Sequence, residues 1–215
     1  VVLKGPDRVR KRPAVIFGSD GLEGCEHSFF EILSNAVDEA KEGYGTEITV
    51  KAFNDHSIEV EDRGRGVPLG WNEKEQKFNW ELIYCEMYAG GKYNNNSSNA
   101  AYEFSLGTNG LGACATQYSS EYMEVASYNG ESVSRISFKK GFAVTDLATE
   151  PLKRGNKRTG TVVHWLPDLE VFTDINIPRE FFEDTLKKQS VVNPKIRFIL
   201  EWQNPEGEFE HSEYY

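Results

Sequence analysis

Apolar residues in the stretch 26–42, EHSFFEILSNAVDEAKE, recur at helical spacing. Phe29, Ile32, Leu33, Ala36, Val37 and Ala40 fall on one side. The pattern predicts a helix over 26–42, stopped by Gly43 and Gly45. The period then changes to two. EITVKAF and SIEVED alternate apolar and polar positions and read as strands, with NDH as the hairpin turn between them. The second strand runs straight into EDRGRGVP at 61–68. A helix is expected over Asn79 to Met87, and the Gly-, Asn- and Ser-rich run of residues 89–113 reads as a long mobile loop. GACATQYS follows as a short helix. YMEVASYN, SVSRISFKKG, FAVTDLATE and the TGTVVHWLP segment read as strands. PREFFEDTLKKQSVV reads as a helix starting near Asn176 and Pro178, and KIRFILEWQ with GEFEHSEYY as a closing hairpin around NPEG. The strict alternation of a doubly wound parallel sheet is missing, and neither repeat nor linker divides the chain. The pattern predicts one α/β domain over 1–215, with helices layered on a mixed sheet.

Composition adds bounds. The chain has 215 residues, 39% hydrophobic and 27% charged, which suits an ordinary soluble globular domain. No apolar run is long enough to span a bilayer, and the basic start VVLKGPDRVRKRP lacks the apolar core of a signal peptide. The first residue is Val1, so an excerpt of a longer chain is expected. A net charge of −10 argues against broad nucleic-acid binding. Arg8, Arg10, Lys11 and Arg12 form the one basic cluster, for which a solvated terminal segment is an even match. Cys25, Cys85 and Cys114, odd in number and far apart, suit a reducing, cytoplasmic setting.

Three constellations carry chemistry. Glu31, Asn35 and Glu39 recur every four residues on the polar side of the 26–42 helix. A charged solvent face explains them; so does a carboxylate and an amide sharing a hard cation such as Mg²⁺, and the mid-helix Asn favours the second mildly. Asp62 ends a strand just before Gly64 and Gly66. It can cap the turn, or it can accept from an exocyclic amine while the glycines let a flat ring come close. LGTNGLG places Gly107, Gly110 and Gly112 before a helix, a weak phosphate-cradle pattern that fits neither the dinucleotide fingerprint nor the P-loop. Lys92 in AGGK offers a cation to the same phosphates or marks a surface turn. Thr161 in RTGT either supports the acid or simply begins a strand.

In this order the segments LKGPDRVRKRP, FFEILSNAVDEA, VEDRGRGVP, YAGGKY and TGTVVHWLPDLEVF resemble the B subunits of bacterial type II topoisomerases, gyrase or topoisomerase IV, within the Bergerat-fold (GHKL) ATPases. The resemblance covers essentially the whole chain. It implies an α+β two-layer sandwich, a mixed and mostly antiparallel sheet covered by helices. It implies ATP binding and hydrolysis with Mg²⁺, driving clamp closure and DNA strand passage. Glu31 then corresponds to the general base, Asn35 to the Mg²⁺ ligand, Asp62 to the acceptor of the adenine amine and Gly66 to the glycine facing the base. Thr161 corresponds to a hydroxyl sharing a water with Asp62, and Arg65 with Glu39 to an ion bridge at the pocket mouth. Pro68, Ile83 and Val163 match pocket lining, Lys92, Gly107, Gly110 and Gly112 the phosphate side, and Arg135 a rim arginine used by aminocoumarin-type inhibitors. The lid motif departs from the family, with Asn109 where a histidine is usual. An A-type subunit and DNA are the implied partners. The dimerisation arm, transducer and DNA-cleavage domains fall outside these residues, so the isolated piece is expected to be a nearly inactive monomer. The alternatives are another GHKL ATPase of the MutL kind and a non-catalytic nucleotide-sensing module.

Overall fold

A computed structural model describes residues 2–87 and 112–215. The N-terminal segment folds into two short helices, α1 (Asp7–Arg10) and α2 (Pro13–Phe17). Pro13 stands in the first turn of α2, and Gly18 closes it in the left-handed region at φ 80°. The long helix α3 (Leu22–Lys41) buries Phe29, Ile32, Leu33, Ala36 and Val37, the stripe read from the sequence, and starts a turn earlier than the pattern predicts. Strands β1 (Glu47–Ala52) and β2 (Ile58–Glu61) form the expected hairpin. A two-residue pair, β3 (Trp71–Asn72) with β4 (Lys77–Phe78), leads into α4 (Asn79–Tyr84).

Beyond residue 111 come α5 (Gly112–Tyr118), β5 (Ser120–Asn129), β6 (Ser132–Lys139), β7 (Phe142–Ala143), β8 (Ala148–Pro151) and β9 (Thr159–Pro167). Helix α6 (Arg179–Val192) and the hairpin β10 (Arg197–Gln203) and β11 (Phe209–Tyr214) complete the described chain. One sheet runs β11-β10-β1-β2-β9-β5-β6-β7, with β8 also on β6. The β1–β10 pair is parallel and the other described pairs are antiparallel. The fold is thus α+β with a mixed, mostly antiparallel sheet.

Alternation fixes the two faces of that sheet. Ile48, Val50, Val60, Val125, Ile136, Val163 and Trp165 are buried in one core with the α3 stripe, and Phe29 meets Phe182 of α6 at 4.9 Å. On the other face Lys51, Glu59, His164 and Glu124 stand in register across four strands. Helices therefore cover one side and solvent the other, and a cleft lies between α3 and the sheet.

Several expectations need correction. FAVTDLATE is not one strand: β7 and β8 are separate, and Thr145 Oγ1 accepts a hydrogen bond from Ser137 N where the chain bends between them. The helix expected to reach Met87 stops at Tyr84. The basic cluster is not simply solvated, because Arg10 is drawn inward to bond Asp168 at 2.6 Å and the Tyr118 carbonyl at 3.0 Å.

Candidate functional site

Strand β2 delivers Asp62 to the mouth of the cleft, and the turn after it is sewn down on three sides. Asp62 N–H donates to Thr161 O at 3.0 Å, and Thr161 N–H donates back to Asp62 Oδ1 at 3.2 Å. Gly64 N–H donates to the same oxygen at 2.8 Å. Val67 N–H donates to Thr161 Oγ1 at 2.9 Å, and Ser127 Oγ donates to Val67 O at 2.6 Å. Arg65 lies along Glu39 of α3, donating from N at 2.9 Å, Nε at 3.1 Å and Nη2 at 2.6 Å, with its guanidinium 3.9 Å from the Tyr44 ring. Glu39 is 2% exposed, so this charge is neutralised in place.

The glycines of the turn answer to this packing. A Cβ on Gly64 would sit 2.3 Å from Glu39 Cγ, and one on Gly66, at φ 88°, would sit 2.5 Å from Tyr128 O. Gly66 therefore packs on β5, and neither glycine lines the cleft. Gly160, at φ 137°, has the tightest fit: a Cβ there would meet Asp62 O at 2.1 Å. The close approach of β9 to Asp62 depends on that missing side chain.

The cleft itself is narrow, with a cavity volume of about 30 Å³, and opens to solvent; Asn35, Ala36, Val60, Asp62, Val67, Ile83, Thr161 and Val163 are among its walls. Asp62 is buried, and loss of hydration pushes its carboxyl up to about 7. Bonds from the Gly64 and Thr161 N–H groups oppose that rise, while the Glu39 carboxylate adds to it. Among the described residues its Oδ2 makes no hydrogen bond, nor does the Asn35 side chain, and the Thr161 hydroxyl proton is donated to no group. An acceptor, an amide and a hydroxyl thus face an apolar slot walled by Ile83, Val67 and Val163. A flat ring with one donor edge fits that chemistry.

Glu31 stands one helical turn before Asn35. His27 Nε2 lies 3.0 Å from its Oε1, and a Cβ on Gly112 would lie 2.5 Å from its Oε2, so α5 begins against this carboxylate. Among the described residues no cluster of three His, Cys, Asp or Glu side chains could hold a metal unaided.

The structure thus brings Asn35, Asp62, Ile83, Thr161 and Val163 to one cleft, with Glu31 and Gly112 in mutual contact nearby and Glu39 with Arg65 paired at the turn. It does not bring Pro68 or Arg135 to that lining. Arg135 is exposed on β6, in register with Ala126 and Ala148. Lys92, Gly107, Gly110 and Asn109 lie outside the described residues. Sequence reasoning missed Val67, Ser127, His27 and Tyr44. Only His27 had a local signal, its place one turn before Glu31.

No family model matches the chain. Individual relatives match over nearly all of this chain. It is 42% identical over 206 residues to the DNA gyrase B subunit of Thermus thermophilus, covering 93% of this chain and 31% of that protein. It is 34% identical over 216 residues to the mitochondrial DNA gyrase B subunit of Arabidopsis thaliana, covering 99% and 29%. It is 35% identical over 200 residues to the type 2 topoisomerase B subunit of Aquifex aeolicus, covering 92% and 24%. The chain spans roughly a quarter to a third of the length of these relatives.

Proposed function

The chain belongs to the family of gyrase and type II topoisomerase B subunits, and on that premise we propose that it is the ATP-binding and ATP-hydrolysing domain of such a protein. In the complete enzyme, with an A-type subunit and DNA as partners, nucleotide binding closes a clamp that drives strand passage, and hydrolysis resets it. The single observation that carries this reading is Asp62: a buried carboxylate with one oxygen fixed by two backbone N–H groups and the other left for a ligand at the end of an apolar slot.

The adenine ring enters the slot between Ile83 and Val163, with its exocyclic amine donating to Asp62 Oδ2 and the Thr161 hydroxyl beside it. Arg65, held by Glu39 and Tyr44, stands at the turn as a fixed cation. Glu31 accepts a proton from the attacking water, oriented by the His27 ring. Asn35 offers one neutral oxygen, and the described residues hold no metal cage, a donor set that fits Mg²⁺ carried in with the triphosphate. Held there by Asn35, such an ion would supply positive charge to the phosphates. No described helix is long and apolar enough to cross a membrane, and a cytoplasmic location accords with that. Aminocoumarin binding in the cleft belongs to the same proposal.

Calorimetric titration with a non-hydrolysable ATP analogue tests it. Magnesium-dependent binding that Asp62→Ala removes is expected. A folded chain indifferent to adenine nucleotides would overturn it.

A further inference from the structure

The N-terminal basic segment has no part in the cleft, yet it holds the helix that touches Glu31. Arg10 Nη1 donates to the carbonyl of Tyr118, the last residue of α5, at 3.0 Å. Its Nη2 donates to Asp168 Oδ2 at 2.6 Å, with both side chains largely buried, at 13% and 5% exposure. Asp168 is fixed in turn: its backbone N–H donates to Ser119 O at 3.1 Å, and its Oδ1 accepts from Glu170 N at 2.8 Å. Midway along α5, Thr116 Oγ1 donates to Ser28 O of α3 at 2.9 Å. At its first residue, Gly112 leaves no room for a Cβ against Glu31. A helix of seven residues is only about 10 Å long, too short to bend, so restraint at Tyr118 reaches Gly112.

We propose that Arg10 is a positioning residue: with Asp168 it seats α5, and through Gly112 it fixes where the Glu31 carboxylate stands. The guanidinium suits this task because one planar fork serves a carbonyl and a carboxylate at once, which an ammonium serves less well. Arg10 itself touches neither the slot nor Asp62, and α5 borders the slot only through Ala113, so loss of Arg10 acts chiefly on the placement of Glu31 and little on recognition of the base. This inference rests on the ATPase reading above.

The test compares Arg10→Met, Arg10→Lys and Asp168→Asn in the intact subunit with Leu186→Val, a core change in α6 chosen for a similar loss of Tm. Misplacement of a catalytic group by ~1 Å can cost about a hundredfold, so kcat of Arg10→Met should fall by at least roughly tenfold with KM within about twofold. Arg10→Lys should recover part of that loss. Hydrogen exchange of the α5 amides should quicken in Arg10→Met and not in Leu186→Val. Equal kcat in Arg10→Met and Leu186→Val, or unchanged α5 exchange, overturns the inference. If Arg10→Met does not fold, Asp168→Asn is judged by the same two readouts. Failure of the parent subunit to hydrolyse ATP sinks the functional reading itself, and α5 exchange then decides the seating of the helix alone.

Discussion

Asp62 and Thr161 are joined twice: Asp62 N–H donates to Thr161 O at 3.0 Å, and Thr161 N–H donates to Asp62 Oδ1 at 3.2 Å. The second bond turns the carboxylate so that one oxygen is spent on the protein while the other faces the cleft. Burial without a full set of donors then leaves the ionised form under-solvated, which pushes the carboxyl up to about 7.

That shift gives a pH prediction with a definite sign. The folded pKa lies above the unfolded value of 3.8, so the stability from protonating Asp62 is complete below 3.8 and is lost as pH rises through about 7. Nucleotide affinity runs the other way, because an amine donates best to the ionised oxygen. Between about pH 5 and 7 affinity should rise by up to roughly tenfold per unit, with proton release, and level off above. Calorimetry in buffers of different ionisation enthalpy measures that release. Flat affinity across the window contradicts the assignment.

Glu31 and Asn35 separate chemistry from binding. Glu31→Ala should keep nucleotide affinity within about threefold while the intact subunit loses turnover by roughly a hundredfold or more. Asn35→Ala should instead weaken binding in magnesium and little in its absence, because it removes a ligand oxygen. Parent-like turnover by Glu31→Ala would refute the general-base role.

Gly160 should be intolerant of any side chain. Its φ of 137° and the 2.1 Å approach of a Cβ to Asp62 O mean that Gly160→Ala must push β9 away from β2. A loss of roughly 2–4 kcal/mol in urea unfolding is expected, together with loss of nucleotide binding. A variant of parental stability would show that the two strands have slack.

Much of this was legible in local pattern. The α3 stripe, the β1–β2 hairpin and the α5 turn follow from spacing alone, and Asp62 stood out through its place between a strand and two glycines. Other features depend on partners far along the chain. Arg10 sits in a run of cations that reads as solvated, and distant partners, Asp168 158 residues away and the Tyr118 carbonyl, draw it inside. The parallel pairing of β1 with β10 joins segments about 150 residues apart, and no periodicity encodes it. Gly64 and Gly66 were legible as residues that must lack a side chain. That Glu39 and Tyr128 are the side chain and carbonyl packed against them required the fold. Arg135 shows the reverse: a matching motif position that the register leaves outside the cleft lining.

The central claim is that Asp62 reads the exocyclic amine of adenine, and one double comparison tests it most directly. ATP and the purine ribonucleoside triphosphate lacking the 6-amino group are titrated into the parent chain and into Asp62→Ala, with far-UV and near-UV circular dichroism reporting the fold. A charge-assisted bond of about 1.5–3 kcal/mol predicts that the parent prefers ATP by roughly ten- to a hundredfold. Asp62→Ala should bind both weakly and with equal affinity. A folded Asp62→Ala that still prefers ATP by the parental factor would mean that another group reads the amine, and the assignment of this cleft would be wrong.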